Sequence, residues 1–220
     1  MGIAPGEEWG EPCADAPALT VEGDDGDLAS AVRDAPIGAL VRFVPAATSD
    51  LARALGLRAG AEPRGVALPL DALDLGDGTL AVNAIVLGVP PDRLTALGRA
   101  RPLTLALDGH DADAAVSRAT TIVVANGQWL RGCDLVPRGH PGDGRAEVQA
   151  YRLRPGERAA MRSRLSTGTH LPHSRIVTRT ARAVTVRTPR PWPFEVDGRL
   201  REPVTELHAT VVPARFRLLV

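Results

Sequence analysis

Residues 121–148 read TIVVANGQWLRGCDLVPRGHPGDGRAEV, and the fold turns on how they are understood. Thr120, Thr121, Ile122, Val123 and Val124 are β-branched, a shape that suits the pleated surface of a strand. The run stops at Asn126-Gly127, a dipeptide that supplies positive φ where a strand ends. A Pro/Gly-rich connection follows over residues 137–144, and a second strand opens at Ala146. Alone, this predicts a hairpin of a β-sandwich. Apolar runs at 102–107 and 119–126, then at 175–180, 183–188, 207–212 and 216–220, extend it into a mainly antiparallel sandwich over residues 89–220.

Upstream the pattern changes. Residues 19–22 predict a strand, residues 23–27 (GDDGD) a tight turn and residues 28–35 a helix. A strand, a glycine turn and a helix in that order aim free backbone N–H groups at a phosphate, although an Asp/Gly turn with no ligand has the same sequence. A buried strand at 39–44, a loop at 45–50 capped by Asp50, and a helix at 51–57 come next. Strands at 65–70 and 80–87 flank the hairpin signal Asp77-Gly78. Residues 1–18, rich in Gly, Pro and acids, predict a disordered lead-in in which Trp9 has no evident role.

Composition narrows the function classes. Twenty-six basic and 26 acidic side chains balance, which argues against general nucleic-acid binding. The balance is uneven along the chain: residues 1–100 carry 15 Asp/Glu against 7 Arg, and residues 101–220 carry 11 against 19. Two cysteines 120 positions apart, Cys13 and Cys133, make no metal-ligand spacing and predict free thiols in a reducing cytoplasm. The N-terminus has neither a signal-peptide nor a transit-peptide pattern, and no apolar run is long enough to span a bilayer. These features predict a cytoplasmic protein that at most touches the inner membrane face from one side.

The motifs, in order, resemble those of the diacylglycerol kinase-like lipid kinases, a bacterial family that includes sphingosine kinase relatives. In the opening stretch the matching positions are Asn126-Gly127, Gly132, Pro137 and Asp143-Gly144. The family's G-G-D-G-T turn falls on residues 23–27, keeping Gly23, Asp25 and Gly26 but placing Asp24 and Asp27 at its second glycine and its threonine. Its P-A-G-T-G-N-D loop and following A-R-A-L-G helix fall on residues 45–56, its I-D-L-G on residues 73–76, and its V-D-G-E on residues 196–199. The resemblance implies a truncated α/β remnant of a doubly wound nucleotide-binding domain over residues 19–88, followed by the sandwich, with the final strand returning to the first domain. The family's two leading strand–helix units have no counterpart here, so an exposed sheet edge is expected, covered by a second copy or a partner.

The resemblance also implies chemistry. ATP and Mg2+ would sit at the glycine turn, with Gly23, Gly26 and Thr48 lining the phosphates. Asp25 would hold the metal through water, Asp50 and Asp74 would support it, and Asp143 would hold a structural cation in the sandwich. A lipid hydroxyl would attack the γ-phosphate in line. Two departures matter. A carboxylate such as Asp24 or Asp27 about 4 Å from a phosphate costs roughly 4 kcal/mol at an effective dielectric near 20, on the order of a thousandfold in affinity. Arg199 stands where the family has its base, and arginine cannot accept a proton near neutral pH.

Residues 151–190 contain ten arginines and one acid, Glu157. A helix is predicted at 155–165, with Arg158 and Arg162 beside its apolar face. These arginines, with Trp192 and Phe194 set between prolines, form a candidate lipid- or membrane-facing patch; a solvated face is the plain alternative. His170 and His173 flank Pro172, which rules out a helical metal pair. The expected function is ATP-dependent phosphorylation of a diacylglycerol-like lipid hydroxyl; the alternative is a pseudokinase that binds lipid or nucleotide without turnover.

Overall fold

The computed structural model describes residues 9–111 and 116–220. The chain forms β1 (Glu11–Pro12), β2 (Leu19–Gly23), α1 (Asp25–Asp34), β3 (Ala39–Pro45), α2 (Asp50–Leu55), β4 (Val66–Asp74), β5 (Leu80–Ala81) and β6 (Ala84–Gly88). It continues with β7 (Arg101–Pro102), β8 (Thr104–Leu107), β9 (His110–Asp111), β10 (Arg118–Ala119), β11 (Thr121–Ala125), β12 (Trp129–Leu130) and β13 (Cys133–Asp134). β14 (Ala146–Tyr151), α3 (Arg158–Arg164), β15 (Ile176–Ala181), β16 (Ala183–Val196) and β17 (Arg199–Leu219) complete it. The architecture is mostly antiparallel sheet with few helices.

One 13-stranded sheet runs through the molecule along β1-β4-β17-β16-β6-β11-β14-β15. β17 is its spine. The first half of β17 pairs antiparallel with β16, while Phe216–Leu219 lies between β4 and a parallel partner, β3. β2 adds to β3 in parallel and has no other strand partner among the described residues. The bend in β17 falls between Val212 and Phe216, where Pro213 lacks an N–H and Ala214 takes φ 47°.

Residues 122–125 are apolar without a break because β11 is buried on both faces. Ile122 and Val124 join Ile85, Leu87, Val148, Trp192 and Phe194 in the core between the sandwich layers. Val123 and Ala125 face the other way, onto Leu94, Leu135, Met161 and Leu165 under α3. A strand covered on both sides shows no alternation. A third cluster, with Leu28, Val32 and Leu51 against Val41 and Phe216, seats α1 and α2 on β3 and β17.

Several expectations change. The connection after Gly88 holds a single 3₁₀ turn, Pro91–Arg93, entered through the pair Pro90-Pro91. The two closing strands are one. Of the expected lead-in, residues 1–8 lie outside the described residues; beyond them β1 pairs with β4, and Trp9 donates to the Pro69 carbonyl at 3.2 Å while its ring rests on His140. Among the described residues no helix is long and apolar enough to cross a membrane.

Candidate functional site

The N-terminus of α1 meets the N-terminus of α2, and carboxylates decide how. Asp24 caps α1 by accepting from Asp27 N at 3.0 Å, and Asp27 reciprocates on Asp24 N at 3.0 Å. Asp25, in the first turn of α1, turns to α2. Its carboxylate accepts from Ser49 Oγ at 2.5 Å, from Asp50 N at 3.1 Å and from Leu51 N at 3.2 Å. Burial pushes its pKa up to about 6 against the opposing pull of these hydrogen bonds, and the Asp50 charge adds to the rise.

Asp50 ties α2 to the strand-end loop of the opening stretch, accepting from Gly132 N at 2.8 Å and from Arg131 N. Arg131 takes positive φ there, which turns its side chain to Asp92 (2.6 and 3.0 Å) and to Glu195. Burial alone would weaken that guanidinium's hold on its proton, but the hydrogen bonds to Asp92 and Glu195 outweigh it and raise its pKa. Asp197, in the tight turn between β16 and β17, accepts from Val82 N, Asn83 N and Ala84 N at 2.9, 3.0 and 2.9 Å. Burial, then the nearby charge of Asp25, lifts its pKa to about 7.

These groups surround a cavity of about 240 Å³ lined by Asp25, Thr48, Asp50, Asn83, Arg131 and Asp197 among others. The fold therefore brings Asp25, Thr48 and Asp50 together. Asp74 stays outside the cavity: its carboxylate accepts from Gly76 N at 2.8 Å, closing its own turn. The buried acid of β4 is Asp71, which accepts from Gly144 N at 2.6 Å and Ala214 N at 2.8 Å. Asp143 is likewise occupied as a turn cap, accepting from Arg145 N at 2.9 Å. Among the described residues no group of three or more His, Cys, Asp or Glu side chains is arranged to hold a metal ion.

Gly23 and Gly26 keep the turn but not its open face. A Cβ on Gly23 would lie 2.1 Å from Asp27 Oδ2, and one on Gly26 would lie 2.4 Å from Arg199 Nε. Arg199 Nη2 reaches Asp24 at 2.7 Å and Asp27 at 2.6 Å, so one guanidinium bridges both acids of the glycine turn. The Arg199 hydrogen bond, then the one from Asp24 N, holds the Asp27 carboxyl below its usual range. With this ion pair closed, the turn's residues do not fit a triphosphate.

The lipid-facing expectation needs correction. Trp192 and Phe194 are 2% and 7% exposed, because alternation along β16 turns them into the sandwich core. Arg158 is 3% exposed and donates to the carbonyls of Thr95 (2.5 Å) and Leu153 (3.2 and 3.3 Å), pinning the segment after the 3₁₀ turn. Arg162 stays exposed. An open trough of about 1040 Å³ does exist elsewhere, lined by Val136, Pro137, Leu171 and Ile176 with Arg138 and His173 among its polar groups. Asp197, Arg131, Asp92 and Asp71 were not legible as site-building residues; only the D-G of residues 197–198 carried a signal, and it reads as a turn.

The family model of the YegS C-terminal NAD kinase beta sandwich-like domain matches residues 91–220. Among solved structures the chain is similar to a diacylglycerol kinase from Bacillus anthracis str. Sterne at 16% identity and TM-score 0.70, over 91% of this chain and 77% of that one. It is also similar to an NAD kinase from Archaeoglobus fulgidus in complex with ATP, at 11% identity and TM-score 0.52, over 92% and 77% of the two chains. At such identities these likenesses speak for the fold. Among curated proteins none matches.

Proposed function

The chain belongs to the diacylglycerol kinase-like lipid kinase family, through the YegS C-terminal domain it carries, and from that membership we propose that it binds a lipid and performs no phosphoryl transfer while Arg199 is in place. The observation that carries this reading is the Arg199 bridge to Asp24 and Asp27 over the face of Gly26. A phosphate entering there meets two carboxylates and must displace their cation. The Arg199 side chain cannot take a proton from a lipid hydroxyl. The trough supports the lipid half: its volume is that of a small-molecule site, and its walls are largely apolar with polar groups interspersed.

A second reading keeps turnover. Asp25, Asp50 and Asp197 line one cavity beside Thr48, and burial, with a smaller part from the neighbouring carboxylate charge, raises the pKa of Asp25 and Asp197 into the range of a working base. In that reading Arg199 swings away to admit ATP, and the acceptor is a diacylglycerol-like alcohol. The test is incubation with labelled ATP, Mg2+ and a bacterial lipid extract, alongside liposome co-sedimentation. Liposome binding without transfer is the expected result. Transfer to lipid that disappears in Asp25→Asn overturns the first reading in favour of the second.

A further inference from the structure

A cleft of about 470 Å³ opens between the loop that follows α2, the middle of β3 and the end of β17. Its lining has two characters: Phe43, Leu55 and Leu57 are apolar, and Arg42, Arg58 and Arg64 bring three guanidinium groups to the same space. That convergence runs against the local charge. Residues 1–100 hold only seven arginines against 15 acids, and three of the seven meet here. The one acidic side chain in the lining, Glu62, is held by Arg42 at 3.1 and 3.2 Å. Among the described residues neither Arg58 nor Arg64 has an ion-pair partner.

We propose that this cleft binds an amphiphilic anion, a phosphate or carboxylate carried on an alkyl chain. Guanidinium forks match the paired oxygens of both head groups, and they do so better than a point charge would. The apolar wall takes the chain, and the volume lies in the range of small-molecule sites. None of the cleft's lining residues belongs to the Asp25 cavity or to the trough, so the site stands or falls independently of the function proposed above.

Calorimetric titration of the full chain with octyl phosphate tests this, with inorganic phosphate and octyltrimethylammonium as comparisons. Octyl phosphate is expected to bind more tightly than phosphate, and the ammonium is expected not to bind. Loss of two charge-assisted contacts in the double variant Arg58→Ala/Arg64→Ala should weaken octyl phosphate at least about tenfold. Both positions are exposed, so the fold should survive, and an unchanged far-UV circular dichroism spectrum checks it. Glu62→Gln, which releases Arg42, should tighten binding. Vesicles containing phosphatidic acid separate a membrane source of the head group from a soluble one, since either alone or both can bind. Equal affinity in wild type and double variant, equal affinity for phosphate and octyl phosphate, or tight binding of the ammonium would each overturn the proposal.

Discussion

The corner where α1 meets α2 and the trough of the sandwich share one loop and are built from opposite materials. Leu130 and Arg131 of that loop face the acidic cavity, and Val136, Pro137 and Arg138 face the trough. On the cavity side, carboxylates are spent on the protein itself: Asp25 on α2, Asp50 on the loop, Asp197 on residues 82–84, Asp24 and Asp27 on Arg199. On the trough side, apolar surface is left open. Carboxylates engaged by the protein's own N–H groups and arginines hold a shape; uncovered apolar walls are what still gain by taking a ligand.

The contrast can be broken in graded ways. Asp197→Ala would strand three buried N–H groups, a loss of roughly 3–5 kcal/mol in chemical denaturation. Trp192→Ala should cost a similar amount, about 3–5 kcal/mol, by opening the core; its folded fraction should still bind liposomes, which a surface anchor could not tolerate.

The next effect is one of pH. Asp25 and Asp197 bind a proton more tightly in the folded chain than in the unfolded one. Their contribution is therefore fully present below the ordinary carboxyl value of 3.8 and is lost as pH rises through about 6 for Asp25 and about 7 for Asp197. Asp25→Asn removes one such penalty. The variant should compare better with wild type at pH 7.5 than at pH 5, by an amount on the order of 1 kcal/mol, read from denaturation curves at the two pH values.

Thr178→Trp, at an exposed position of the trough wall, should lower liposome binding by about tenfold with little change in stability, because it fills space without disturbing the core. Smallest of all, Arg199→Ala should cost no more than about 1 kcal/mol, as the bridge is well over a third exposed and screened by solvent. A larger loss there would mean that the bridge organises the corner rather than closing it.

The sequence made the frame legible where a local rule and a tertiary demand agree. Asn126-Gly127 ends β11, residues 52–56 end α2 at a left-handed glycine, and Gly23 and Gly26 flank the start of α1. The family resemblance, which rested on those points, holds. Legibility failed where a side chain's direction depends on a distant partner. Asp71 and Asp74 are three apart on one unbroken strand, so alternation sends them to opposite faces, and the buried one was the one not singled out. Trp192, between prolines, has the look of a surface loop, yet β16 continues through them with a break in register on either side of Trp192. Arg158 looked like a surface cation because nothing in its own helix announces the carbonyls of residues 95 and 96.

One feature joins the two regions mechanically. β17 starts at the latch residue Arg199, crosses the sandwich core and finishes inside the pairing that holds β3 and β4. Shortening the chain by its last few residues would thus unzip the parallel register under α1 and loosen the anchor of Arg199 at the opposite end. A tether attached at the carboxyl terminus would pull first on the hydrogen-bond ladder beneath the acidic corner and leave the trough for later.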